Sequence, residues 1–280
     1  MSYFSLGKNR RGRGLLGAHV ASIVITLIFT GAALAQPSQR QSNVLNLSGF
    51  FRHNTSVYAL PANGGGGPVT DMPGFEHGGS DPWVGDHTNP ILKEHTAAEV
   101  KRLSELELAG GVNLSSFQLC KHLGVPQILT QRGNIQLLQT PDQVTIIYQR
   151  DHHIRKIYLN VEHSNGVEPT WYGESVGHYE GDALVVDTIG QTSQSRVDRY
   201  GSFASEDLHV VERYHISKGG RLQVDFTVTD PNHFTIPWSA TQHYVSGRTP
   251  WEEVICAENN RDARTGGEYV GVPIATKANF

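Results

Sequence analysis

The chain has 280 residues, a formal net charge of −4 and 38% hydrophobic residues. A mildly acidic chain without a basic stripe is not expected to bind nucleic acid. The length is enough for a single domain of generous size. The sequence contains no C-x-x-C-H, no P-loop and no G-x-S-x-G motif, so it gives no sign of covalent haem, of a nucleotide phosphate or of a serine hydrolase.

Residues 1–35 have the pattern of a secretory signal peptide. Basic residues between Lys8 and Arg13 precede a long apolar run, which ends in ALA at 33–35. We therefore expect cleavage after Ala35 and a periplasmic or secreted protein. A retained membrane anchor is the alternative, because the run is long enough to span a bilayer. No second run of that length follows, so no membrane contact is expected after cleavage.

Residues 36–90 are predicted to be irregular, because their NGGGGP, MPG and HGGSDP stretches are typical of turns and linkers. The first regular element is predicted to be a helix of about three turns, which begins at the capping box TAAE of 96–99 and ends at Gly110-Gly111. Residues 91–280 are then predicted to form one β-barrel domain preceded by this helix.

From Gln143 onward, apolar and polar residues alternate, and turn signals recur at short intervals. The pattern predicts about seven or eight antiparallel strands, with EEVICAE at 252–258 as a candidate for the last one. Closure into a barrel would remove exposed edges. The predicted fold class is therefore mainly β: a closed antiparallel barrel, lipocalin-like or related, with an irregular N-terminal segment and one or two short helices.

The stretch WYGESVGHYEGDALVVD at 171–187 predicts a β-hairpin with Gly181-Asp182 at its turn. In this register His178 and Asp187 are diagonal neighbours on one face, and we predict that they touch. A histidine oriented by a carboxylate has the geometry of a general base or of a metal ligand. Two alternatives stay open: an ordinary acid/base patch facing solvent, or a longer turn that shifts the register and separates the pair.

A second predicted hairpin carries a carboxylate on its apolar face. Alternation in the arm at 222–228 marks the inner face, and the partner arm would turn five residues inward: Leu208, Val210, Glu212, Tyr214 and Ile216. Because burial of an unpaired carboxylate is costly, Glu212 must be paired, bound to a metal or protonated. A protonated carboxyl would suit acid/base catalysis. An ion pair with Arg155 or another arginine is the structural alternative.

Cys120 and Cys256 are the only two cysteines of the chain. In an exported protein an even pair predicts a disulfide, and two unrelated buried thiols are the alternative. Closing so long a loop would stabilise the fold by roughly 4–5 kcal/mol in the chain-entropy model.

The 14 histidines raise the question of a metal site. The adjacent His152 and His153 would point to opposite faces of a strand, so they could not both bind one ion without a bend. Neither H-x-H nor H-E-x-x-H occurs. We therefore predict no cofactor, with a bound metal as the less favoured alternative.

The chain resembles a large family of exported bacterial proteins, most of them uncharacterised, in the order of its motifs. The family shares a W-x-G-x-S-x-G-x-x-E-G-D-x-L-V-V core, which lies at 171–186 here, and an L-H-V-x-E-R-Y strand, which lies at 208–214 here. The resemblance covers residues 90–262, roughly. It implies an exported location and carries no activity. It also implies a shared framework that includes Trp171, Ser175, Gly177, Glu180, Gly181, Asp182, His209 and Glu212.

The barrel is predicted to enclose a cavity that binds a small apolar or aromatic molecule. Its lining would include His153, Arg155, Tyr158, Trp171, Tyr172, Phe226 and Trp238. For a cofactor-free lyase, isomerase or hydratase, the acid/base groups would be Glu212, His178, Asp187 and Tyr214. A non-catalytic periplasmic carrier and a structural envelope protein with a packed barrel are the alternatives.

Overall fold

The structure is a computed structural model that describes residues 45–262 and 270–271, apart from 54, 56, 62–66, 77–81, 112, 114–115, 117–118, 248–249 and 259–260. The chain divides into two units, Met1–Ser42 and Asn43–Phe280, and the described residues all belong to the second. The predicted signal peptide lies outside the described residues. Within the described part of the chain, no helix is long and apolar enough to cross a membrane.

Nine strands form a closed barrel in which each strand pairs with the next one along the chain and the last pairs with the first. They are β1 (Gly49–His53), β2 (Asn134–Gln139), β3 (Gln143–Tyr148), β4 (Ile154–Leu159), β5 (Glu174–Glu180), β6 (Ala183–Ile189), β7 (His209–Ile216), β8 (Leu222–Thr229) and β9 (Trp238–Ser246). The other elements are helix α1 (Glu94–Leu108), the 3₁₀ helices Gln127–Thr130 and Cys256–Glu258, and a small sheet of β10 (Arg261–Asp262) and β11 (Val270–Gly271). The predicted fold class, mainly β with a closed barrel, is confirmed.

An odd number of strands cannot alternate in direction all the way around a closed barrel, so at least one neighbouring pair must be parallel. In the described barrel that pair is β4–β5, and it is short: Tyr158 pairs with Val176 and Leu159 with Gly177. A parallel neighbour needs a connection that runs back to the end where the first strand began. Residues 160–173 form this connection. The join between β4 and β5, called the seam below, is therefore the place where the wall has the least pairing.

Alternation along the strands sends one set of side chains into the barrel. In β4 the even-numbered residues are exposed and Arg155, Ile157 and Leu159 are buried. The predicted inner face of β8, from Leu222 to Val228, is buried at every second residue. The predicted inner face of β7 is buried as far as Tyr214. The second hairpin therefore has the faces that its alternation predicts, as far as Tyr214.

Large side chains fill the interior of the barrel. Trp238, Arg155, Tyr148, Tyr214 and Tyr244 are each less than 2% exposed. Interiors of small barrels are commonly filled in this way, since the space suffices for side chains and little else.

The end of the barrel where β4 begins is covered by two segments. The ring of Tyr58 packs 4.9 Å from the ring of Phe226, measured between centroids. The 3₁₀ helix Gln127–Thr130 brings the Leu129 carbonyl over the strands, where it accepts hydrogen bonds from Gln242 Nε2 (3.0 Å) and Tyr244 Oη (2.8 Å). These contacts close this end with ordered polar and aromatic groups.

Four sequence predictions about elements need correction. The segment 36–90, predicted to be irregular, contains β1, which closes the barrel against β9. The stretch 252–258 forms a bridge and a 3₁₀ turn instead of a barrel strand. Helix α1 begins at Glu94, two residues before the predicted capping box, and the Thr96 hydroxyl contacts His233 Nδ1 at 3.0 Å. Ile216 is 37% exposed, because β7 leaves the core at its last residue.

The predicted disulfide is present between Cys120 and Cys256, with Cα atoms 5.5 Å apart. The backbone near it is tied to the turn between β3 and β4. Asp151 Oδ1 accepts a hydrogen bond from Cys256 N at 2.7 Å, and Asp151 N donates to Val254 O at 2.8 Å. The disulfide therefore joins the segment after β9 to the covered end of the barrel.

Candidate functional site

The first hairpin has the predicted register, with Glu180 opposite Ala183 and His178 opposite Val185. Its two faces have different surroundings. Ser175 and Thr188 point into the barrel, where both are 2% exposed or less. The face that carries His178 and Asp187 is the outer one, and there the side chain of His178 is 55% exposed. The sequence predicted the alternation correctly, but the acidic and basic side chains do not line the interior.

The predicted contact between His178 and Asp187 is not made. His178 Nε2 instead lies 2.9 Å from Glu180 Oε1, its neighbour two residues along the strand. Asp187 contacts two other histidines, described below. A strand residue and its i+2 neighbour share a face, so the shorter local contact replaces the diagonal one.

Inside the barrel, Glu212 forms a buried ion pair with Arg155. Both side chains are fully buried, and Arg155 Nη1 donates to Glu212 Oε1 at 2.9 Å, while Nη2 donates to Oε2 at 2.5 Å. Tyr214 Oη donates to Glu212 Oε1 at 2.8 Å. Burial acts to lower the pKa of Arg155, but the adjacent Glu212 carboxylate outweighs it and raises this pKa well above its usual value. The structural alternative for Glu212, an ion pair with Arg155, is the observed one.

Two hydroxyls complete this interior cluster. Arg155 Nη2 donates to Ser175 Oγ at 3.1 Å and to Thr188 Oγ1 at 2.9 Å, and the two hydroxyl oxygens lie 2.9 Å apart. Each charged group therefore has several partners, as a buried charge requires.

The four predicted acid/base residues are divided by the barrel wall. Glu212 and Tyr214 are on the inside, and His178 and Asp187 are on the outside. Because strand neighbours on opposite faces cannot meet in one pocket, they do not form a single catalytic centre. The hypothesis of a mixed Glu212–His178 centre is wrong for this reason.

Asp187 belongs to a chain of four polar side chains on the outer surface of β5, β6 and β7. His163, from the connection 160–173, has Nδ1 3.1 Å from Glu174 Oε1 and Nε2 2.9 Å from Asp187 Oδ1. His209 Nε2 lies 2.8 Å from Asp187 Oδ2. A neutral imidazole carries one N–H, so His163 can donate to both carboxylates only as the imidazolium.

Hydrogen bonding stabilises both carboxylates of this chain in their ionised form. The main-chain N–H of Ser164 donates to Glu174 Oε1 at 2.7 Å and, with the Ser164 and His163 side chains, lowers the pKa of Glu174. Burial acts to raise the pKa of Asp187, but hydrogen bonds from His209 and His163 outweigh it, so the pKa is lowered. The chain ties the connection 160–173 to the barrel wall.

A groove of about 600 Å³ opens at the seam, on the side toward the start of β4. One wall is the exposed face of β4, with Ile154, Lys156 and Tyr158. The other consists of the end of the connection 160–173 and the beginning of β5, including Val167, Glu168, Tyr172 and Glu174. Ser175, which contacts Arg155, is also part of the lining. Because β4 and β5 pair at two positions only, the first residues of the two strands are not paired with each other. The groove lies between these unpaired parts.

The remaining predicted lining residues lie in three places. Phe226 and Trp238 are in the packed interior, with ring centroids 6.0 Å apart. Tyr158 faces outward and is 45% exposed, so it does not line the interior as predicted but borders the groove. Tyr172 also borders the groove.

His153 and Trp171 lie near Tyr172, around the ring of His122. His122 Nδ1 lies 3.0 Å from Tyr172 Oη, and the His122 and His153 rings are 4.3 Å apart between centroids. The Trp171 ring is 6.5 Å from that of His122. Burial, and then the neighbouring His122, lower the pKa of His153 to about 4. His153 is therefore neutral near neutral pH and packs as an aromatic ring.

The structure gives central contacts to three residues whose partners the sequence does not reveal. The contacts of His163 depend on the path of the connection 160–173. The contacts of Ser175 and Thr188 with Arg155 depend on how β4 lies against β5 and β6. No periodic pattern encodes these neighbours.

In the described part of the chain, no group of three or more histidine, cysteine, aspartate or glutamate side chains is arranged to hold a metal ion. The chain of His163, Asp187 and His209 is linear, and its nitrogen and oxygen atoms face one another, not a common centre.

The fold and site so far define a closed nine-stranded barrel with a packed interior and an open groove at its parallel seam. Comparison with models of known protein families found no match. Comparison with curated proteins also found no match.

Proposed function

We propose that this protein is an exported binding protein that holds a small, partly apolar organic molecule in the groove at the seam between β4 and β5. The proposal depends on one observation: the barrel wall is open at the seam and forms a groove with a volume of about 600 Å³. Pockets for small ligands have volumes of roughly 300–1,000 Å³ and combine apolar walls with a few polar groups. The basic and apolar N-terminal pattern and the disulfide support export.

The groove residues match such a ligand. Ile154 is 52% exposed and Tyr158 is 45% exposed, so both present apolar surface that no other described residue covers. Tyr172 adds a second aromatic ring, and Lys156 and Glu168 supply one charge of each sign. Large apolar side chains that stand together at a concave surface mark a binding site more often than single exposed ones do.

The interior cluster supports binding without catalysis by Glu212. Its two carboxylate oxygens are already held by Arg155 and Tyr214. A general acid or base must reach the proton that it transfers. The side chain of Glu212 is fully buried, so we assign the Arg155–Glu212 pair to the stability of the barrel.

A cofactor-free acid/base enzyme is the second candidate, and one observation favours it. Glu174 borders the groove and contacts His163, which contacts Asp187. Both ring nitrogens of His163 face carboxylates, so the group that reaches the groove is the Glu174 carboxylate, which His163 orients. In this form Glu174 is the acid/base residue, and the groove, not the barrel interior, holds the substrate.

The binding proposal is tested with the fluorescent probe 8-anilinonaphthalene-1-sulfonate, which has an aromatic body and one negative charge. We expect Tyr158→Ala to weaken its binding several-fold, because the ring borders the groove. Leu138→Ala is the matched control: Leu138 is 42% exposed on β2 and is not part of the groove lining. Near-ultraviolet circular dichroism checks that both variants stay folded. Equal binding by the Tyr158 and Leu138 variants would refute the groove as the site.

A further inference from the structure

The main chain of β4 pairs with β3 through every second residue. Tyr148 N donates to His153 O at 2.8 Å, and Leu159 N donates to Asp142 O at 2.8 Å. In an antiparallel pair, the residues that exchange hydrogen bonds recur at every second position. The odd-numbered residues from 153 to 159 therefore point their N–H and C=O groups toward β3.

The even-numbered residues of β4 point theirs to the other side, toward β5. Tyr158 lies within the paired part of the seam, but Ile154 and Lys156 lie beyond it. No described residue forms a hydrogen bond with the main chain of Ile154 or Lys156 on that side. Two N–H and two C=O groups therefore face the groove that these residues line.

We propose that the groove takes an extended peptide segment, which adds to β4 as a short strand through the main chain of Ile154 and Lys156. This inference rests on the proposed function and names the chemical class of the ligand. An unpaired strand edge is a template for another strand, and addition of a peptide strand to such an edge is a recurring mode of recognition.

The spacing of the free groups favours a peptide over a compact small molecule. Ile154 and Lys156 are two strand residues apart, which is about 6.6 Å at a rise of 3.3 Å per residue. An extended peptide repeats its own donors and acceptors at the same distance. The free stretch from Ile154 to Lys156 therefore matches a segment of three residues.

The side chains at the groove define which peptide fits. Side chains of an extended segment alternate between two faces, so one face would pack on Ile154, Tyr158 and Tyr172. The other would turn to the barrel side of the wall, where Ser175 also lines the groove. We expect a segment with at least one aliphatic or aromatic residue.

The test uses terminally blocked tripeptides with a central tyrosine and flanking aliphatic or aromatic residues, titrated into ¹⁵N-labelled protein to millimolar concentration. We expect the amide resonances of Ile154 and Lys156 to shift and their hydrogen exchange to slow. The matched ligand is the best-binding peptide with its main-chain nitrogens methylated. It keeps the side chains and loses the donors, and we expect at least tenfold weaker binding, about 1.4 kcal/mol.

A matched pair of protein variants tests the same contact from the other side. Ile154→Pro removes an N–H that the fold does not use, at the first residue of a strand, where proline is tolerated. Ile154→Ala removes the same side chain and keeps the N–H. We expect the proline variant to bind the peptide about tenfold more weakly than the alanine variant. If the proline variant fails to fold, the methylated peptide still decides.

The outcomes separate this inference from the proposed function. Binding of the fluorescent probe at the groove without any peptide-induced shift at Ile154 and Lys156 would overturn the peptide inference alone. Equal affinity for the methylated and unmethylated peptides would overturn it as well. If neither the probe nor the peptides bind at the groove, both proposals fail.

Discussion

At the scale of single residues, the Arg155–Glu212 pair shows how this barrel carries charge in its interior. Both side chains are completely buried, and they form hydrogen bonds with each other and with Tyr214, Ser175 and Thr188. Removing two charges from water is costly, and the attraction between them offsets that cost only when the geometry is close and the remaining hydrogen-bonding groups are paired. Here both conditions are met.

The pair gives a stability prediction. Glu212→Leu leaves the Arg155 guanidinium without its counter-charge, and Arg155→Met leaves the carboxylate alone. Each single change should lower the free energy of unfolding by about 3–5 kcal/mol. The double variant should lose clearly less than the sum of the two, because no unpaired charge remains. Urea unfolding followed by tryptophan fluorescence measures all four proteins.

Additive losses in that cycle would show that the two side chains act independently. The same proteins also separate stability from binding. Since the pair lies behind the wall of the groove, the folded double variant should bind the fluorescent probe as the natural protein does.

Sequence alternation was sufficient to predict that Glu212 points inward, and an ion pair with Arg155 or another arginine was one of the alternatives for it. It failed at His178 and Asp187, for which the register was right and the contact was wrong. Asp187 instead contacts His163 and His209, and His163 belongs to the connection 160–173. Local periodicity determines which face a side chain takes, but which neighbour it meets there depends on how segments far apart in the chain are packed.

At the scale of elements, the connection 160–173 makes the parallel pair possible and also forms one wall of the groove. Part of its contact with the barrel is made by His163 and Ser164, both bonded to Glu174. The sequence could not predict this arrangement, because a chain of alternating strands looks the same whether one neighbouring pair is parallel or none is. Strands β1 and β2, which the sequence did not predict, raise the number of strands to nine. With an odd number of strands, at least one neighbouring pair must be parallel.

This attachment should be lost in acid. Glu174 and Asp187 both have lowered pKa values in the folded protein. A lowered folded-state pKa contributes stability that is present above the unfolded-state pKa and is lost as pH falls through the folded-state value. The loss therefore occurs below about pH 4, where these side chains protonate in unfolded chains. In this range we expect the connection 160–173 to loosen.

The pH dependence is measured by urea unfolding at neutral pH and at about pH 3. Asp187→Asn should lower stability at neutral pH by less than about 1 kcal/mol, because the carboxylate is partly exposed. It should also reduce the difference between the two pH values. Asp182→Asn, in the turn of the same hairpin, is the control. An unchanged difference in the Asp187 variant would contradict the prediction.

At the scale of the whole molecule, closure depends on segments far apart in the chain. The barrel closes where β1 pairs with β9, and the covered end is joined through Cys120 and Cys256 to the segment that follows β9. The sequence predicted closure and the disulfide from general tendencies of strands and of exported proteins. It could not predict that residues 49–53 supply the closing strand, because five residues of mixed polarity give no clear periodic signal.

The disulfide gives the last prediction. It links residues 136 positions apart, and in the chain-entropy model a loop of this size stabilises the folded state by roughly 5 kcal/mol, because it restricts the unfolded chain. The double variant Cys120→Ala/Cys256→Ala should therefore lose several kcal/mol in urea unfolding, with a lower melting temperature. Each single variant should lose about as much as the double one, since either change removes the whole link. Reduction of the natural protein should reproduce the loss, and should leave the double variant unaffected. A double variant as stable as the natural protein would mean that the strand pairing of β1 with β9 closes the barrel without help from the disulfide.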